Sequence, residues 1–99
     1  MINVMLPVPL RRLAGIDEAA VALEVEAPIT QRRVLDALED RYPMLIGTTR
    51  DRSSKRRRAY VRFFACGEDF SDADPDDALP TAVANGDEPY LIVGALSGG

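Results

Sequence analysis

The sequence predicts an α+β domain, a mixed five-stranded sheet with one main helix packed across it. Three observations lead there. Two short strands with alternating apolar residues open the chain, Ile2-Val4-Leu6 and Val21-Leu23-Val25. One segment, bounded by Thr30 and Pro43, has sustained helical spacing. A near-continuous apolar run, Tyr90 to Val93, lies close to the C-terminus and suits a central strand buried on both faces. With 99 residues the chain makes one domain, small enough to bury only about 60–65% of its unfolded surface, so a deep pocket is not expected.

Taken in order, the first strand ends where Pro7 and Pro9 limit ladder pairing, and Leu10 to Leu13 forms a short helical turn closed by Gly15. The second strand follows closely enough to pair with the first as an antiparallel hairpin with a long loop. Thr30 is the expected N-cap of the main helix, whose inner stripe is Val34, Leu35, Leu38 and Tyr42. Pro43 ends it, because the residue before a proline is pushed out of the α region. Leu45 and Ile46 are placed to pack beneath it. From Gly47 to Arg58 six of the last nine residues are basic, and the segment is expected to be an exposed, mobile loop. A third strand runs from Tyr60 to Ala65 with Val61, Phe63 and Ala65 on one face. Cys66-Gly67 makes a hairpin turn into a short return strand near Phe70. An acidic loop follows, Ala78-Leu79 and Ala82-Val83 fill core gaps in a short helical turn, and Asn85-Gly86 turns the chain into the last strand.

Composition excludes several functional classes. A net charge of −4 is the wrong sign for a general polyanion binder, and no aromatic platform accompanies the basic run, so no nucleic-acid partner is expected. Basic residues cluster between Arg50 and Arg62 and acidic ones between Glu68 and Asp77, so one half of the surface would be complementary to a partner that the other half repels. One cysteine, Cys66, forbids an internal disulfide and fits a reducing cytoplasm. The longest apolar run is far short of the roughly 20 residues that span a bilayer. No histidine is present, which removes the usual general base and commonest metal ligand. Asp72, Asp74 and Asp76 have the spacing of a calcium loop's first ligands, but Asp77 and Val83 stand where glycine and glutamate are required. No metal site and no bound cofactor are therefore expected. Ser53-Ser54-Lys55 lies in a loop and lacks the positioning that catalysis needs.

Two features retain chemical interest. Arg56, Arg57 and Arg58 are candidates for docking an acidic partner surface, against the alternative of a solvated loop. The other is the segment Leu96-Ser97-Gly98-Gly99. Two glycines form a thin strand without Cβ atoms, able to enter a slot too narrow for any side chain. The reactive group such a segment can deliver is the carboxylate of Gly99. Residues 1–94 are thus read as the folded domain and 95–99 as a flexible tail, with Leu96 an apolar residue suited to recognition.

This order of elements resembles the ubiquitin-like β-grasp sulfur carriers of the MoaD/ThiS family. The markers are Leu10-Arg11-Arg12-Leu13-Ala14-Gly15 after the first strand, the helix Val34 to Pro43, Gly67-Glu68-Asp69, Ala84-Asn85-Gly86-Asp87 and the diglycine tail. The longer loop after Gly47 and Leu79-Pro80-Thr81-Ala82-Val83 are most similar to the cysteine-biosynthesis branch, the CysO carriers. Cys66 stands where the family often has asparagine, and Gly94 where it often has proline before the tail. The resemblance implies a protein co-substrate rather than an enzyme. An E1-like adenylyltransferase of the MoeB/ThiF type would use ATP to activate Gly99, and sulfur would then replace AMP to leave a thiocarboxylate. A sulfur-accepting enzyme would take it, whether cysteine-synthase-like, a molybdopterin-synthase large subunit or thiazole-synthase-like. Conjugation of Gly99 to lysines, as in a ubiquitin-like modifier, and a non-covalent adaptor role remain as alternatives.

Overall fold

The structure, a computed structural model, describes residues 1–94; the expected tail, 95–99, lies outside the described residues. Five strands form one sheet in the order β2-β1-β5-β3-β4, comprising β1 (Ile2–Met5), β2 (Ala20–Leu23), β3 (Val61–Ala65), β4 (Glu68–Asp69) and β5 (Tyr90–Gly94). β1 and β2 are antiparallel in the register Ile2 with Leu23 and Val4 with Val21. β5 lies parallel to β1 and antiparallel to β3, so the mixed sheet expected from sequence forms around the last strand.

Period-two alternation sends Ile2, Val4, Val21, Leu23, Val61, Phe63, Tyr90 and Ile92 to a single face, all buried. The main helix α2 (Gln31–Arg41) covers that face with Val34, Leu35 and Leu38. Its start is fixed by Thr30, whose hydroxyl accepts the Arg33 N–H at 3.2 Å. A 3₁₀ turn, Pro43–Leu45, then drives Leu45 into the same core. The short helix α3 (Thr81–Ala84) adds Val83.

Three expectations are corrected. Helix α1 spans Val8–Ala14 rather than a single turn from Leu10. Pro7 is its N-cap residue and Pro9 lies in its first turn, where a missing N–H costs no helical hydrogen bond. β5 is central but not buried on both faces, since every helix packs on one side; Leu91 is half-buried and Val93 is 45% exposed. The segment after Gly47 is not an open loop. Thr49 and Arg50 are buried, and residues 49–58 close on themselves, with Arg58 N–H donating to Thr49 O and Asp51 N–H to Arg56 O.

Candidate functional site

Two regions contain the sequence-predicted residues, and the fold treats them oppositely. In the basic segment the turn is made by Asp51, whose carboxylate accepts the backbone N–H groups of Ser53 at 2.9 Å and Ser54 at 2.8 Å. That turn sends Arg50 inward beneath α2. Its guanidinium meets Glu39 through Nε at 3.1 Å and Nη2 at 3.0 Å, and Asp36 through Nη2 at 2.8 Å. The Arg50 and Glu39 side chains are 4% and 6% exposed. Burial alone would push the Arg50 guanidinium down; the hydrogen bonds it donates to the Glu39 and Asp36 carboxylates outweigh it and hold the group above its ordinary value.

Arg57 is also committed to the fold. Its guanidinium donates to the carbonyls of Ser71, Arg58 and Val61 at 3.0, 3.2 and 2.8 Å and pairs with Asp72 at 3.1 Å. Arg32 meets Asp76 at 2.6 Å and Arg62 meets Asp69 at 3.2 Å. Two arginines of the basic cluster, Arg57 and Arg62, therefore pair with the acidic stretch, and Arg32 of α2 takes Asp76. Asp72 and Asp76 serve as internal counter-charges, and among the described residues no cluster of carboxylates, cysteine or histidine is placed to hold a metal ion.

Of the three arginines assigned to docking, Arg57 is tied down, whereas Arg56 is exposed with no side-chain partner among the described residues. Arg58 lies over the Tyr60 ring, 5.8 Å from its centroid, and donates to the Tyr60 hydroxyl at 3.0 Å. Arg56, Arg58 and Tyr60 share one shallow concavity. Tyr60 is an addition that sequence reading treated only as a strand residue. An aromatic side chain immediately after an arginine run was the available signal.

The second region is the end of β5. Leu96, Ser97, Gly98 and Gly99 lie outside the described residues, but the point from which they depart is defined. Gly94 pairs with Val61 at the start of β3 and lies beside Pro7, whose Cγ would be 3.9 Å from a Cβ added at Gly94. A cavity of about 430 Å³ opens there, walled chiefly by Pro7, Pro9, Leu10, Tyr60, Ile92 and Gly94. Tyr60 thus joins the surviving basic surface to the exit of the tail. Cys66 is not part of this assembly. It occupies the exposed two-residue turn after β3 with φ 52°, followed by Gly67 with φ 77°, at the far end of a five-residue strand roughly 17 Å long.

The chain matches no protein-family model and no curated protein by sequence. Solved structures match it along its length. The crystal structure of SAMP1 from Haloferax volcanii superposes with a TM-score of 0.74 at 22% identity, covering 98% of this chain and 97% of that one. A chain of the Amycolatopsis orientalis BexX/CysO complex gives 0.75 at 17% identity, with 100% of both chains covered. A second H. volcanii structure, small archaeal modifier protein 1, gives 0.69 at 19% identity over 91% of each. The chain has the ubiquitin-like β-grasp fold expected from its element order.

Proposed function

We propose that this chain is a sulfur-carrier protein, a co-substrate whose reactive group is the Gly99 carboxylate. The observation that carries the reading is the position of the Leu96-Ser97-Gly98-Gly99 segment, directly after the central strand of a β-grasp domain. Full-length overlap with SAMP1 and with a chain of the BexX/CysO complex supports it.

A free carboxylate is a poor electrophile because its leaving group would be oxide. In the proposed cycle an E1-like adenylyltransferase uses ATP: a Gly99 carboxylate oxygen attacks the α-phosphorus and pyrophosphate leaves, giving an acyl-adenylate. Hydrosulfide then attacks the acyl carbon, AMP departs with the C–O bond electrons, and the released proton passes to solvent. The product is a thiocarboxylate, a soft nucleophile that the tail delivers to a sulfur-accepting biosynthetic enzyme. No cofactor is assigned to this chain itself; ATP belongs to the activating partner. Arg56 and Arg58 are assigned to partner docking beside the tail's exit. Neutralising both should slow association in a salt-dependent manner, and an unchanged association rate would remove them from the interface.

The closest competing reading is a ubiquitin-like modifier, favoured by the likeness to small archaeal modifier protein 1. It shares the acyl-adenylate and differs in the nucleophile, a lysine amine in place of hydrosulfide. Intact-mass analysis after incubation with the adenylyltransferase, ATP and sulfide separates the two. It requires thiol alkylation and tandem fragmentation, since exchange of one oxygen for sulfur resembles an oxidation in mass. Sulfur located on Gly99 is the expected result; an isopeptide to lysine with no thiocarboxylate would select the modifier. Gly98→Ala should leave the fold intact and lower activation by about 10²-fold, because a Cβ there displaces the carboxylate in a narrow channel. Unchanged adenylation would end the narrow-channel argument.

A further inference from the structure

We propose that the cavity between α2 and the basic segment is a binding site for a phosphate group, free or carried on a small molecule. The cavity measures about 340 Å³, at the small end of ligand pockets and with room for about ten water molecules. Its cationic lining is Arg32, Arg50, Lys55, Arg56 and Arg57, and no carboxylate belongs to that lining. The counter-charges Asp36, Glu39, Asp72 and Asp76 reach four of these groups from outside the cavity, and Arg56 has none among the described residues.

The buried anchor is Arg50. A guanidinium carries five N–H donors; the bonds to Glu39 and Asp36 occupy Nε and Nη2 and leave the two on Nη1 without a partner among the described residues. Every fully buried side-chain nitrogen and oxygen among the described residues has a partner. Nη1 therefore faces an opening, although the side chain is only 4% exposed, and Arg50 lines this cavity. Asp76 likewise takes Nε and Nη2 of Arg32 and leaves Nη1 without a partner among the described residues. Arg56 brings a third, exposed guanidinium. Three guanidinium edges around one hollow suit a tetrahedral dianion, which accepts from several directions, better than a planar carboxylate, which one fork satisfies. Leu35 and Phe63 also reach the lining and offer an apolar surface to an organic group. The site shares no lining residue with the cavity beside Gly94 and is independent of the chemistry proposed for Gly99.

The experiment titrates the full chain with inorganic phosphate and with AMP at constant ionic strength, followed by NMR of the backbone amides. Saturable shifts confined to the start of α2 and residues 50–57 are expected. Equal affinity for the two probes would assign the site to free phosphate, and tighter binding of AMP to a phosphate with an organic group. Arg56→Gln should weaken binding by about tenfold or more. Arg50→Met with Glu39→Leu removes the recessed guanidinium together with its buried counter-charge and should do the same. Arg58→Gln makes the same change of charge on a side chain outside the lining and should leave the affinity within about twofold. Shifts that fail to saturate, or an Arg58→Gln variant weakened as much as Arg56→Gln, would overturn the proposal in favour of nonspecific attraction. So would saturation by acetate but not by phosphate, which would give the cavity to a carboxylate.

Discussion

The underside of α2 and the end of β5 are built from opposite materials. Beneath α2, Arg50, Glu39, Asp36 and Lys55 form a charged knot whose members face one another. At the end of β5 the surroundings are proline, leucine, isoleucine and tyrosine around a cavity of about 430 Å³. The first region is closed, its charges committed to neighbours within the domain. The second is open at the point where the chain leaves the sheet. The difference teaches that a run of charge in a small domain is not by itself a contact surface. What remains available to a partner is what the fold leaves unpaired, here Arg56 and the apolar exit.

The largest effect on stability should come from opening the closed region. Arg50→Ala leaves Glu39 buried without its guanidinium partner, and loss of one member of a buried pair costs about 3–5 kcal/mol. Urea denaturation should show that loss, and replacing the pair together, Arg50→Met with Glu39→Leu, should recover most of it. A cost below 1 kcal/mol for Arg50→Ala would mean that water reaches the knot and the two regions differ less than their composition suggests.

A smaller effect should separate adjacent residues of the same basic run. Arg57→Gln removes donors to the Ser71 and Val61 carbonyls and should cost about 1–3 kcal/mol. Arg56→Gln touches no partner among the described residues and should remain within about 0.5 kcal/mol of the parent. Equal costs would contradict the distinction between the tied and the free arginine. A third measurement of similar size concerns Tyr90, whose hydroxyl donates to the buried Gln31 amide oxygen at 2.5 Å. Burial pushes the phenol far above its ordinary range, so it stays protonated and able to donate. Tyr90→Phe should therefore cost about 1–3 kcal/mol through the orphaned amide oxygen.

These contrasts mark where the sequence was informative. The strands, α2 and the Thr30 cap were legible because period and capping are local properties, set by side chains within a few residues of one another. The burial of β5 was misjudged because Leu91 and Val93 are apolar whether or not anything covers them. Which face the helices choose is a long-range outcome. The basic segment was misjudged for the same reason. Nothing near Arg50 in sequence announces that Glu39, eleven positions earlier, will be buried beside it, or that Ser71 and Asp72 will receive Arg57. The Asp51-Arg52-Ser53-Ser54 turn was the one local sign that this loop is built. At the candidate site, the tail residues were chosen from the sequence, but the cavity beside Gly94 assembles from α1 and its N-cap Pro7, the Gly47-Thr48 turn, the start of β3 and the end of β5. Only the folded topology brings those together.

The smallest effect should appear in acid, where the closed charge network meets the solvent. Hydrogen bonding by Arg32 lowers the Asp76 carboxyl below its ordinary value, the hydroxyl and N–H of Ser71 lower Asp69, and the backbone N–H groups of Ser54 and Ser53 lower Asp51. Each group binds its proton less readily in the folded chain than in the unfolded one. Their contribution is therefore complete above the unfolded carboxylate value near 3.9 and is lost as pH falls through the lower folded values. With no histidine in the chain, no ordinary side chain titrates between pH 5 and 7. The urea midpoint should thus be flat across that interval and decline below about pH 4. Because these carboxylates are exposed, the decline should be shallow and flatten further in high salt. Asp51→Asn combined with Asp76→Asn should remove part of the slope, while Val93→Thr, on the solvent face of β5, should leave it unchanged. A midpoint that fell between pH 7 and 5 would require a titrating group outside this network, and the separation between a charged closed region and an apolar open one would no longer hold.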